Sequence, residues 1–348
     1  MRFIGPFENI HQIISHGLKM DTALLGDEIE ETVEEKRMST SWVLLWQKFP
    51  GFHDTMLEIH KNHPLVESIA HRISAGMDSV RADDSGTVKP RIYGWVLETP
   101  TSAEPVLTAG VSKATRGIAD PLIAPLLLPL EFTDAEKYPD PYALIAAGKL
   151  DINGEQCPCF LFPYGQLNDD SALDTILTGP ILLCTAKALL MGPASALQGD
   201  GWHRGKADNA QLIGLLTFTG RIIAYIARQV RFNLASQQDW NKCDNHFDYQ
   251  VFFWQLVGLF EGDENQEFAA RTIALYNRVV LGRAAGIAPA GVAGAATAAP
   301  TLTHLERLKA ACAARVAAAA RTATAAVAAA ATPAEAPADA SSATPVAV

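Results

Sequence analysis

The sequence predicts a mainly α protein: a single multi-helix domain over residues 1–282 with a small β-hairpin and a proline-rich excursion, followed by a disordered Ala-rich C-terminal tail over 283–348. Three observations predict it. Apolar residues recur three and four apart through most of the first 282 positions, prolines crowd one interior stretch, and the composition turns abruptly to alanine after Gly282. With 348 residues, 49% of them hydrophobic and 19% charged, and a mean hydropathy of +0.08, the chain fits a globular protein and excludes collagen-like and wholly disordered classes.

Phe7, Ile10, Ile14 and Leu18 lay one apolar stripe along a first helix after Pro6. Asp27, Glu28, Glu30, Glu31, Glu34 and Glu35 come next, offset only by Lys36 and Arg37; such a run reads as a solvated face or link, with a basic partner as the functional alternative. Trp42, Leu45, Trp46, Phe49, Phe52, Met56 and Ile59 resume the helical period, which Pro50-Gly51 breaks into two pieces. Pro64 suits the first turn of another helix carrying Leu65, Ile69 and Ile73, and Gly76 is placed to end it. Asp83-Asp84-Ser85 then offers an N-cap for a segment containing Ile92, Trp95 and Val96, with Pro90 kinking that helix or delaying its start.

Over residues 98–142 no period survives and seven prolines occur, which predicts a long irregular excursion over the surface. Asn153-Gly154, between residues 149–152 and 157–162, is the strongest hairpin signal. Helical spacing returns over 173–190; Thr217 or Thr219 can cap a long helix to Leu234; residues 249–260 are rich in aromatics; 265–281 place Phe268, Ile273, Tyr276 and Val280 inward. In the tail only 302–331 has the propensity for a helix, with too few large apolar residues to dock firmly, and the last seventeen residues read as disordered.

The formal net charge is -10, and setting aside the five basic and three acidic residues from Arg283 onward leaves -12 on residues 1–282. So acidic a body is a poor match for phosphate backbones or anionic membranes, which need clustered Lys and Arg. The start, MRFIGPFENI, lacks a secretory pattern and five cysteines cannot all pair, so an intracellular, reducing location, cytoplasmic or nuclear, is expected. Residues 118–130 carry three prolines and 212–234 carry three arginines, so neither reads as a membrane span.

Candidate chemistry is sparse. The loop from Gly199 to Lys206 clusters glycines with a lysine before a helix, yet has Asp200 and Ala207 where a phosphate loop requires Gly and Ser or Thr; anion binding by Arg204 and Lys206 is its only functional reading. Cys157 and Cys159 could supply half a metal site, but no second close pair completes it and Pro158 suits an edge strand. His53, His60 and His63, with Glu67, have partial ligand spacing that Pro64 interrupts, so solvated or capping roles are expected. Asp244, His246 and Asp248 read as an N-terminal cap, and Asp83-Asp84 and Asp169-Asp170 as caps or turns. Arg221, Arg228 and Arg231 fall near one face of an otherwise apolar helix. They read either as structural ion pairs with Asp239, Asp244 or Asp248, or as an arginine-lined groove for an acidic peptide, a phosphate or a nucleic-acid backbone.

Three blocks in order, GMDSVRADDSGTVKPRIYGWV from Gly76, GPILLCTAKALLMGPASAL from Gly179 and IAYIARQVRFNLASQQDW from Ile223, resemble an uncharacterised domain multiplied in mushroom-forming fungi (basidiomycetes). The resemblance spans roughly residues 1–282 and implies a fungal, lineage-specific family without an assigned activity. Where that family has a GNARIHG-like stretch this chain has Asp208-Asn209-Ala210-Gln211-Leu212-Ile213-Gly214.

No nucleophile elbow, zinc-protease helix or dinucleotide fingerprint is present, and no catalytic, metal or cofactor residue is assigned. The expected function is a non-enzymatic protein-interaction module with an unknown protein partner. A nucleic-acid-associated factor linked to mobile elements is the alternative, and an enzyme whose site is not visible as a motif comes third.

Overall fold

A computed structural model of the chain describes residues 3–22, 31–98, 112–163, 172–201, 208–262 and 265–283. Its first four helices are α1 (Ile10–Thr22), α2 (Val33–Lys48), α3 (Phe52–Ile59) and α4 (His63–Val88). Their ends obey local chemistry. Thr32 and Glu35 form a reciprocal capping box at the start of α2, which turns part of the acidic run into a helix terminus. Pro50-Gly51 separates α2 from α3, with Gly51 in the left-handed region at φ 79°. Asn62 caps α4 and Pro64 occupies its first turn.

Gly76 does not end α4, and Asp83-Asp84-Ser85 lies inside it. Nothing stands within 4 Å of where a Cβ on Gly76 would be, so this glycine only lowers propensity, while buried Met77, Asp84 and Val88 carry the helix on. The break falls at Pro90, and α5 (Ile92–Glu98) begins after it.

The proline-rich stretch is a surface excursion over residues 133–140, which are mostly exposed and irregular, but not over 112–132. Residues 112–132 fold into short helical turns, including α6 (Ala124–Leu127), and α7 (Pro141–Ala146) follows the irregular segment. Ile123, Leu126, Leu127, Leu128, Leu130 and Phe132 are buried among the core residues. Prolines prevent a long helix there, but the leucines between them still leave water.

Asn153-Gly154 makes no hairpin. Gly154 lacks the positive φ that an Asn-Gly hairpin turn requires, and a Cβ on it would overlap the Asp248 carbonyl, so glycine serves a close approach of two segments. The hairpin lies instead at β1 (Cys243–Asp244) and β2 (Phe247–Asp248), with Asn245 at φ 53° in the turn. Pro158 forms an isolated bridge to Pro129 and not an edge strand.

The expected helix over 173–190 is divided into α8 (Ala172–Thr175) and α9 (Pro180–Leu190). Between them Leu177 adopts φ 64° and its carbonyl accepts from the Tyr276 hydroxyl at 2.9 Å. The chain continues through α10 (Asn209–Leu212), α11 (Gly220–Leu234), α12 (Tyr249–Glu261) and α13 (Gln266–Val279).

Helix α11 is the axis. Thr219 caps it by accepting from the Ile222 amide, and every residue from Gly220 to Leu234 is buried. α12, α9, α4 and α5 pack around it, and Asn277 of α13 holds its entry through bonds to the Phe218 amide and Thr217 hydroxyl. A second apolar cluster joins Ile10, Ile13, Ile14, Trp42, Leu45, Met56, Val66 and Ala70 from α1 to α4. α4 spans both clusters, so its length fixes the N-terminal helices against the α11 core. Residues 284–348, including the expected helix 302–331 and the expected disordered end, lie outside the described residues.

Candidate interaction site

The three arginines of α11 are the sharpest chemical feature in the sequence, and all three are buried. Arg221 donates through Nε to Glu261 at 3.1 Å and through Nη1 to the Ile4 carbonyl and the Ser41 hydroxyl. Its guanidinium lies 5.1 Å from the Trp254 ring centre, and Arg37 of α2 lies against the same ring at 4.5 Å. Arg221 therefore ties the N-terminal segment, α2 and α12 to the start of α11.

Arg231 donates to Asp244 at 3.2 Å and lies 4.3 Å from the Phe247 ring, which anchors the hairpin on the end of the same helix. Asp244 is one of the acidic partners expected from the sequence. Arg228, only 1% exposed, has aromatic neighbours, Trp240 at 4.2 Å, Tyr225 at 4.8 Å and Phe7 at 5.6 Å, and among the described residues it forms no ion pair, although the Asp84 charge acts on it. Its Nε and Nη1 have no hydrogen-bond partner among the described residues, and burial lowers its pKa to about 10. None of the three forms a solvent-facing groove; they bind α11 to its own surroundings. Arg204 and Lys206 lie outside the described residues.

A second basic group closes the far end of α11. Arg116 donates to the Asn233 carbonyl at 2.8 Å and to the Lys89 carbonyl at 2.9 Å, and Lys113 donates to the Gln237 carbonyl. Cations at a helix C-terminus complement its dipole and its unpaired carbonyls. Burial, with Lys89 and Arg116 adding to it, lowers Lys113 to about 7. Sequence reasoning missed both residues because they sit in the stretch with no period.

The other candidates have structural roles. Burial pushes the Cys157 and Cys159 thiols up to about 12, far from thiolate chemistry at neutral pH. His53 is bonded to Asp21 at 3.0 Å, His60 to the Leu57 carbonyl, and His63 is an exposed first residue of α4. Asp248 caps α12 through the Gln250 and Val251 amides, as expected. Asp169 and Asp170 lie outside the described residues. No group of three or more His, Cys, Asp or Glu placed to hold a metal occurs among the described residues, and none of their helices is long and apolar enough to cross a membrane.

The apolar surface that faces water lies elsewhere. Where α2 turns into α3, Phe49, Pro50, Gly51, Phe52, Thr55, Met56 and Ile69 line an open depression of about 370 Å³. Phe49, and Leu65 on α4 four residues before Ile69, are exposed. The depression arises from the break the sequence predicts: Pro50-Gly51 turns the chain sharply and strands Phe49 outside the α1–α4 core.

The fold and its surfaces define a mainly helical protein built around one buried, arginine-bearing helix. Residues 75–281 match the family of unknown function DUF6698, and the chain belongs to that family. The match starts at the Gly76 block and takes in α11 with its arginines, but not α1 to α3 or the residues that line the depression. No curated protein and no solved structure matches the chain.

Proposed function

We propose that the chain is a non-enzymatic protein-interaction module of a lineage-specific fungal family, and that it engages a protein partner through the depression at the α2–α3 turn. One observation carries this reading: the depression leaves apolar side chains, Phe49 above all, open to water, while Arg221, Arg228, Arg231, Cys157, Cys159, His53 and His60, which the sequence nominates for chemistry, are engaged in internal contacts. An exposed aromatic beside a concavity is the kind of anchor point that partner side chains fill. The partner is accordingly a protein segment presenting an apolar anchor. The surface lies outside the matched family region, residues 75–281.

The test compares the full chain with a Phe49→Asp, Leu65→Asp variant in affinity capture from host-cell extract, followed by titration of each purified captured protein. A stoichiometric partner that binds the wild type and binds the variant at least ~10-fold more weakly supports the proposal. Equal binding to both, no stoichiometric partner, or reproducible turnover of a substrate by the purified chain overturns it.

A further inference from the structure

We propose that the Ala-rich tail segment 302–331 folds back as a helix and lays the apolar stripe of its first half on the exposed surface formed by Leu212, Ile213 and Leu216. The surface is unusual for its density. Leu212, Ile213 and Leu216 are 72%, 50% and 75% exposed within five residues, at the end of α10 and in the tight turn after it, where the Leu215 amide closes back on the Ala210 carbonyl. Three large aliphatic side chains so close in sequence, all standing in water, favour being covered.

The position of the chain end identifies the occupant. Arg283, the last described residue, donates through Nη1 to the Leu216 carbonyl at 2.6 Å and to the Leu215 carbonyl at 3.3 Å. Arg283 thus lies within one side chain's reach of the patch, and 65 residues follow it in the sequence. The stretch 284–301, rich in Ala, Gly and Pro, is 18 residues long. A chain of that length and composition spans, by random-coil statistics, about 21–25 Å root-mean-square, short enough for the next segment to reach the patch.

Residues 302–316 have the pattern of a helix with one sticky side. Thr303 and Glu306 have capping-box spacing, and Leu302, Leu305, Leu308, Cys312 and Val316 fall within one face at 100° per residue. Residues 303–316 as a helix measure about 21 Å, enough to cross the turn that carries the three exposed side chains. A stripe with so few large side chains is a weak binder in free solution. Tethering changes that, because docking within one chain proceeds at a millimolar-range effective concentration. This inference does not depend on the depression at the α2–α3 turn.

Hydrogen exchange on the full chain tests it. The amides of 305–316 exchange at least ~10-fold more slowly than in an unstructured peptide, and the protection is the same on dilution. Leu212→Asp with Leu216→Asp, and separately Leu305→Asp with Leu308→Asp, abolish that protection while α11 amides stay protected. Free exchange of 305–316 in the wild type, unchanged protection in both variants, or protection that vanishes on dilution because a second copy supplies the surface would each overturn the inference. A second measurement does not depend on those variants folding. In a Cys243→Ser background carrying Leu216→Cys, mild oxidation joins the introduced thiol to Cys312 within one chain; a product linked only between chains, or none, refutes intramolecular docking.

Discussion

The Tyr225 hydroxyl donates to the Asp84 carboxylate at 2.6 Å, joining the middle of α11 to α4 across 141 positions of sequence. The bond belongs to a buried chain of polar groups. Gln229 donates to the Tyr225 oxygen at 2.8 Å, Asn233 donates to the Gln229 carbonyl, and the Ser85 hydroxyl donates to Asn233 at 3.2 Å. A helix buried on all sides cannot carry polar residues unless neighbours satisfy them, and α4 does this for the face that Tyr225 and Asn233 present. The same contacts set the register between the two apolar clusters, because α4 belongs to both.

Tyr225→Phe keeps the ring and removes the donor, which leaves the Asp84 oxygen at a buried position without that bond. The expected loss is about 1.5–3 kcal/mol, the range for a hydrogen bond to a charged group. Urea unfolding monitored by circular dichroism checks it, with wild type and variant compared at fixed slope. A change within about ±0.5 kcal/mol, the range of an ordinary surface substitution, would mean that water or a neighbour replaces the phenol.

Arg228 separates packing from charge. It is buried against Trp240, Tyr225 and Phe7, yet its Nε and Nη1 have no partner among the described residues. Arg228→Met fills similar space without a buried cation and is expected to be neutral or stabilising by up to about 2 kcal/mol. Arg228→Ala opens a cavity and is expected to cost about 2–4 kcal/mol. Thermal unfolding of both variants decides the matter: if methionine costs as much as alanine, the stacked charge itself holds the aromatic cluster together.

The cysteines report on opening. Cys243 is exposed, whereas Cys157 and Cys159 are buried with thiols raised to about 12. At pH 8 an alkylating reagent should modify Cys243 within minutes and reach Cys157 and Cys159 only at the rate of unfolding, on the order of 10³-fold or more slower. Peptide mass spectrometry over a time course measures this. Simultaneous modification of all three would show that the segment from Pro129 to Phe162 opens independently of the core.

Much of this was legible because it is local. Thr219, Pro64 and Pro50-Gly51 do in space what they announce in sequence, since a cap or a break needs only its neighbours in the chain. Gly154 misleads for the opposite reason: its missing Cβ answers to the Asp248 carbonyl, far along the chain, and no turn rule contains that information. The burial of residues 123–132 is hidden in the same way, because prolines erase the period while the leucines still pack. The arginines of α11 were visible as an oddity, and Asp244 as a partner for Arg231. Glu261 and the Trp254 ring, which take up Arg221, come from a helix whose register on α11 only the fold supplies.

Glu8 makes the fold sensitive to pH near neutrality. Its carboxyl is largely buried beside Ser41, Arg221, Arg37 and Glu261. Burial is the dominant influence and raises its pKa from 4.5 to about 7; the Ser41 hydroxyl and the two arginines pull downward without cancelling it, and Glu261 adds to the rise. The folded state thus prefers the neutral acid. Below the unfolded value of 4.5 the contribution to stability is complete, and it is lost progressively as pH rises from 4.5 through about 7. The full span is worth up to roughly 3 kcal/mol. Glu8→Gln holds the neutral form at every pH, so its stability relative to the wild type should be near zero at about pH 4.5 and should grow to a gain of up to about 3 kcal/mol at about pH 8. Taking the difference between the two proteins at each pH cancels the titration of every other carboxylate. A difference that stays flat across that range would place the Glu8 carboxyl in contact with water, and the N-terminal segment that Arg221 holds through Ile4 would then be looser than its bonds imply.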